Sequence, residues 1–126
     1  MVTLTKAEER IMQILWDLEK GFIKDIVEHF PDPKPPYNTV ATIVRVLEKK
    51  EIISYNSYGG AHQFYPLISR EDYRNEQLGS LVKDYFGNSL KEVVHFLSEK
   101  KDLDVKDVNE VMKMLEDIRK KRKASQ

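Results

Sequence analysis

YNTVATIVRVLEKK, residues 37–50, is the stretch on which the reading of this chain turns. A helix drawn through it at ~100° per residue has two faces. Val40, Ile43, Val44 and Leu47 fall on one side; Asn38, Thr42, Arg45 and Lys49 fall on the other. The first face is fit for burial. The second is short-chained near its start and basic near its end. Asn and Thr can reach base edges from a DNA major groove, and Arg and Lys can hold guanine or phosphate. Thr39 and Ala41, on the flanks of that face, complete the candidate DNA contacts on this helix. An ordinary surface helix with a solvated polar face has the same pattern, so the flanking sequence must decide.

Upstream, Pro31, Pro33, Pro35 and Pro36 break any preceding helix and force an extended approach. Before them, Phe22, Ile23, Ile26, Val27 and Phe30 suggest a brief extended lead-in and a two-turn helix without a good N-cap. Thr5 and Glu8 have the spacing of a capping box. The helix they open runs to about Lys20, with Ile11, Ile14, Leu15 and Leu18 inward and Met12 and Trp16 widening the stripe. Trp16 is read as core, and Gly21 as the C′ stop.

Downstream of Lys50 the period changes to rough alternation. Residues 52–57 read as a strand, 58–61 as a turn and 62–65 as a returning strand ended by Pro66. Three helices followed by a hairpin is the order of a winged helix-turn-helix. A lone hairpin is marginal in water, so this one must pack on the helices. Its tip, with Tyr58 and His62 as candidates, either lies along a DNA backbone or is a solvent-exposed turn.

Ser69-Arg70-Glu71-Asp72 is a second capping box. Its helix reaches about Phe86, with Leu78, Leu81, Val82, Tyr85 and Phe86 on one apolar face, and Gly87 stops it. Asn88 or Ser89 caps the next helix, with Leu90, Val93, Val94 and Leu97 inward. Asp104 caps the last, with Val108, Val111, Met112, Leu115 and Ile118 inward. Roughly 50 residues in three amphipathic helices enclose little core alone. Their stripes are expected to meet a second copy, because two-fold dimers suit palindromic sites; folding back on the winged helix is the alternative. Residues 119–123, RKKRK, either touch phosphates or form a solvated helix end.

The expected fold is therefore mainly α with a small β-hairpin. A winged helix-turn-helix DNA-binding domain occupies 1–68, and a three-helix dimerisation region occupies 69–126.

A length of 126 residues fits one typical domain or two very small ones. The absence of cysteine removes disulfides and thiolate metal sites. His29, His62 and His95 are far apart and form no zinc-binding spacing. No apolar run approaches the ~18 residues of a membrane span. The N-terminus lacks a signal-peptide pattern, so a cytoplasmic location is the default. Basic and acidic residues balance at 21 each, which argues against an indiscriminate nucleic-acid coat but leaves room for a local basic surface. No phosphate-binding glycine loop or nucleophile elbow occurs. Catalysis, a metal and a cofactor are not expected.

In order and spacing, these features resemble the penicillinase-repressor family of bacterial transcription regulators, over nearly the whole chain. Glu8, Ile11, Met12, Leu15 and Trp16 are similar to that family's first-helix signature. Thr39-Val40-x-Thr42 with Leu47-Glu48-Lys49-Lys50 is similar to its recognition helix. Tyr65-Pro66-Leu67 and Ser69-Arg70-Glu71-Asp72-Tyr73 match the exit from its wing. The resemblance implies a homodimer that binds a palindromic operator on double-stranded DNA and blocks transcription, without membrane insertion. In the β-lactam branch it implies a partner as well: a membrane sensor with a metalloprotease domain triggers cleavage, by itself or through a downstream protease, before a phenylalanine in the dimerisation region. Val93-Val94-His95-Phe96 occupies that place, with His95 where the well-known members carry asparagine. The copper-responsive branch carries a C-terminal cysteine motif, which this chain lacks. The family's recognition-helix arginine often lies at the position of Val46, while this chain has Arg45; many members have glycine where this one has Glu51.

A winged helix that mediates protein contacts without DNA is the competing reading. Residues 1–68 carry 8 basic and 9 acidic side chains, which favours it. The Asn38, Thr42, Arg45 and Lys49 face favours DNA.

Overall fold

The Thr5 capping box forms as its spacing predicts. The Thr5 hydroxyl accepts from the Glu8 N–H at 3.1 Å, and the Glu8 carboxylate accepts from the Thr5 N–H at 2.9 Å. In a computed structural model that describes residues 2–99 and 104–125, this box opens α1 (Lys6–Leu18). The helix ends at Glu19, whose φ is positive at 69° with ψ −37°. Gly21 is therefore not the expected C′ stop. Its N–H donates to the Phe64 carbonyl at 2.9 Å and its own carbonyl accepts from the Phe64 N–H at 2.8 Å. A Cβ on Gly21 would lie 3.2 Å from Leu18 Cδ1. The glycine serves close passage of the chain beside a strand, a tertiary demand that helix-end logic does not contain.

The short α2 (Ile23–Glu28) starts by a backward reach: the Asp25 carboxylate accepts from the Phe22 N–H at 2.9 Å. Pro36, at φ −61° and ψ 144°, sets the extended approach to α3 (Tyr37–Lys49). After Lys50 the chain turns at Glu51, with φ 60°. Strands β1 (Ile53–Tyr58) and β2 (Ala61–Pro66) pair antiparallel, with Ile53 opposite Pro66 and Tyr58 opposite Ala61. Gly59 and Gly60 connect them at φ 55° and 85°. Positive φ at both central residues suits the right-handed twist of a tight hairpin.

One core ties these elements together. Ile11, Met12, Ile14 and Leu15 of α1, Ile26 of α2, and Val40, Val44 and Leu47 of α3 are buried with Ile52, Ile53 and Phe64. Trp16 is half-buried at the core's edge rather than inside it, and its indole N–H donates to the Ile68 carbonyl at 2.9 Å. Ser69 caps α4 (Arg70–Phe86), its hydroxyl accepting from the Asp72 N–H at 3.0 Å. The first turns of α4 pack on α1. Tyr73 is buried, lies 5.5 Å ring-to-ring from Trp16 and donates its hydroxyl to Glu9 at 3.2 Å. Arg70 reaches Asp17 at 2.6 Å. The first compact unit accordingly spans Met1–Leu78 and takes in part of α4, beyond the expected limit at 68.

The second unit, Gly79–Gln126, holds the rest of α4 with α5 (Leu90–Ser98) and α6 (Val105–Ser125). Ser89 caps α5 by accepting from the Glu92 N–H at 3.2 Å, and Asp104 caps α6 by accepting from the Asp107 N–H at 2.9 Å. No described side chain of α5 or α6 is buried. Leu81, Tyr85, Leu90, Val94, Leu97, Val108, Val111, Met112 and Leu115 are exposed, and Val82, Phe86 and Val93 are half-buried. Leu78, at the end of the first unit, is exposed as well. No helix among the described residues is long and apolar enough to cross a membrane.

Candidate nucleic-acid interface

The core holds α3 by Val40, Val44 and Leu47, and so decides which of its side chains face outward. Asn38, Thr39, Thr42, Arg45, Val46 and Lys49 are exposed along it. Ala41 is not; only 2% of it is accessible, which removes it from the candidate DNA contacts. It sits where α3 meets the rest of the unit, and a small side chain fits that close packing. Thr42 donates its hydroxyl to the Asn38 carbonyl at 2.9 Å. That oxygen can then accept a hydrogen bond from a ligand, while its proton stays on the helix backbone.

Sequence reading places Arg45 and Lys49 on one helix; the structure adds what lies opposite them. A groove of about 770 Å³ runs between the start of α2, α3 and the hairpin. Tyr37, Arg45, Glu48 and Lys49 line it from α3, Phe22, Ile23 and Lys24 from the start of α2, and Gly60, Ala61, His62 and Phe64 from the hairpin. Three cationic side chains converge there against a single carboxylate, Glu48. A groove with a net positive lining beside an exposed polar helix suits a phosphate-bearing strand. Lys24 escaped the sequence reading because nothing local marks it. Only the turn between α2 and α3 brings it round to Arg45.

The hairpin contributes ordered rings. His62 stacks on Tyr55 with centroids 3.9 Å apart and planes 9° from parallel. Phe64 meets both rings edge-on, at 5.7 Å from Tyr55 and 6.1 Å from His62. Both Tyr58 and His62 are exposed, as a wing contact requires; Tyr58 lies 6.4 Å ring-to-ring from Phe22.

The end of α3 is pinned from below. Lys50 donates to both oxygens of Glu8, at 2.8 and 3.0 Å. Glu8 is buried and Lys50 is not. Burial pushes the Glu8 carboxyl up, but the hydrogen bonds from Lys50 and Thr5 and the Lys50 charge outweigh it and hold the group below its ordinary value. Next to it, burial and the neighbouring Glu9 push the Tyr73 phenol up to about 12. Consecutive carboxylates of α1 therefore hold two other helices: Glu8 the end of α3, Glu9 the start of α4. No cluster of three or more metal-ligating side chains occurs among the described residues.

The chain is 25% identical to a penicillinase repressor of Staphylococcus aureus over 121 residues, which cover 95% of this chain and 96% of that protein. A solved CopR repressor structure shares 26% identity and a TM-score of 0.45, covering 54% of this chain and 100% of its own. The model of the penicillinase repressor family matches residues 4–117, so α1, α2, α3, the hairpin and most of the C-terminal helices all fall inside it. The chain thus belongs to the penicillinase repressor family, a family of winged-helix, DNA-binding transcriptional regulators and not of enzymes.

Proposed function

We propose that this protein represses transcription in the cytoplasm by binding a palindromic operator as a homodimer, with α3 in the major groove of each half-site. The observation that carries the reading is the exposed Asn38, Thr39, Thr42, Arg45 and Lys49 surface beside the groove into which Lys24, Arg45 and Lys49 bring their charges. Tyr58 and His62 of the wing lie along the backbone. A footprint of the purified protein on the DNA upstream of its own gene tests this directly. Arg45→Ala should weaken binding by about 1–3 kcal/mol if the guanidinium reads a base, and should flatten the salt dependence if it holds phosphate. Operator affinity unchanged in both Arg45→Ala and Thr42→Ala would remove α3 from the interface. An unprotected footprint would favour the protein-interaction reading instead.

The second copy is supported by the open C-terminal helices. An apolar stripe such as Val108, Val111, Met112 and Leu115 is unfavourable in water as it stands. Pairing across a two-fold axis buries it. Leu81→Asp with Leu115→Asp should dissociate the dimer, because each places an unpaired charge in an apolar contact. Sedimentation of a well-folded wild-type monomer at tens of micromolar, roughly where a specific interface persists, would sink this part.

Release follows from the family resemblance at His95-Phe96: a cut there, triggered through a membrane sensor metalloprotease or its downstream protease, would divide the stripe that the dimer shares. Both residues lie on the nine-residue α5, and both are exposed. A helix that short frays readily, which supplies the extended backbone a protease needs. His95 lies 3.2 Å from Glu99, and Phe96 packs 5.6 Å from Phe86. The check is chain length and target transcription in cells after inducer, with wild type and Phe96→Ala. Transcription that rises while the wild-type chain stays whole would show that another signal controls the operator.

A further inference from the structure

α3 divides its outward surface between two tasks. Arg45 and Lys49 turn towards the groove shared with the wing. On the neighbouring strip, Thr39, Thr42 and Val46 are exposed at three- and four-residue spacings. Val46 is 41% exposed, an apolar side chain amid an otherwise polar surface. Helix packing does not explain it, because the buried stripe of α3 is already complete with Val40, Ala41, Val44 and Leu47. One turn before it, Thr42 has committed its proton to the Asn38 carbonyl. The strip therefore offers a hydrogen-bond acceptor and, next to it, a branched hydrocarbon with no polar atom.

In the major groove only one base presents a matching surface: thymine, through its C5-methyl group. We propose that Val46 is a specificity-determining residue that packs on a thymine methyl in each half-site. The inference rests on the DNA-binding reading above and deepens it, naming a base that the polar residues of α3 leave undefined. Arg45 and Lys49 act through the bonds they make; Val46 selects by what it cannot do. A guanine or cytosine placed against it loses water from its polar edge and gains no partner in return.

The test deletes single methyl groups. Operator sites are selected from random duplexes with the wild-type protein. Each thymine of the best site is then replaced, one at a time, by uracil, which lacks only the C5-methyl. One position per half-site should weaken wild-type binding by about fourfold, the equivalent of one buried methyl-sized group. Val46→Ala should bind the parent site more weakly and be indifferent to uracil at that position, with an unchanged thermal midpoint since the side chain is outside the core. Where cytosine replaces that thymine, 5-methylcytosine should recover part of the loss for wild type and none for Val46→Ala. If no uracil weakens wild type, or if wild type and Val46→Ala respond alike at every position, the assignment is wrong while DNA binding stands. If the wild type enriches no sequence, the DNA-binding reading fails and the assignment falls with it.

Discussion

The two compact units have similar fractions of apolar side chain and put them to opposite use. In Met1–Leu78, apolar residues from three helices and the hairpin close over one another, and Ile11, Met12, Leu15, Ile26, Val44 and Leu47 have no accessible surface. In Gly79–Gln126, Val108, Val111, Met112 and Leu115 recur at helical spacing, yet all are exposed. Periodicity alone does not distinguish these cases. The difference is topological: the first unit has a hairpin and a bridging Gly21 to cover its helices, and the second has no strand among its described residues. A stripe that its own unit cannot cover is a statement about association, as long as the helix is stable enough to present it.

The contrast breaks most visibly if a closed-core residue is truncated. Leu47→Ala should cost about 2–5 kcal/mol, read by chemical denaturation and independent of protein concentration. Leu115→Ala should behave differently: its loss should appear as a stronger dependence of the midpoint on concentration, as linked association requires. Equal, concentration-independent losses at both sites would erase the distinction.

A smaller effect sharpens the account of α3. Lys50→Met removes the partner of the buried Glu8 and should destabilise the first unit by about 2 kcal/mol, below the figure for a fully buried pair because Lys50 is half in water. Glu8 has a lowered folded value, so its contribution is complete above the ordinary carboxylate range and is lost as pH falls through that lowered value. In Lys50→Met the loss should set in at higher pH, seen in acid titration of the thermal midpoint. Tyr73 acts at the other end. Its folded value of about 12 means that stability should fall from pH 10 towards 12 as the unfolded phenol ionises first. Tyr73→Phe should abolish that alkaline limb.

The smallest effect has the opposite sign. Glu51 occupies the left-handed region at φ 60°, where a side chain costs about 1 kcal/mol that glycine does not incur. Glu51→Gly should stabilise by up to that amount, less the extra entropy of the unfolded chain. A lower midpoint in Glu51→Gly would show that the glutamate makes a compensating interaction.

What was legible in sequence follows from the range of the forces involved. Thr5, Ser69, Ser89 and Asp104 cap helices through bonds three residues away, so their spacing announces them. α2 also has a cap, but Asp25 makes it by reaching back to Phe22 from inside the helix, and a search for a leading Ser or Thr passes over it. Gly21 was misread because its partner, Phe64, is distant in sequence. The outward surface of α3 is half legible. Asn38, Thr42, Arg45 and Lys49 declare themselves by period. Ala41 looks available because a small residue fits either face, and Val46 belongs to neither of the two faces that the period separates. Lys24 joined the groove only through the turn between two helices, which no local pattern encodes.

The Gly21–Phe64 bridge also fixes where this chain can change length. Both polar groups of the Gly21 peptide are spoken for by one residue of β2. An added residue between Glu19 and Phe22 would shift that pairing and unseat β2 from the chain that follows α1. The other end of the same hairpin has open space around it, since a Cβ on Gly59 or Gly60 would meet nothing within 4 Å, and only the positive φ of the two glycines constrains the turn itself. Insertions and deletions are thus barred at one end and tolerated at the other. The wing can lengthen or shorten over evolutionary time without disturbing the helices, and its reach is the dimension of this fold most open to drift.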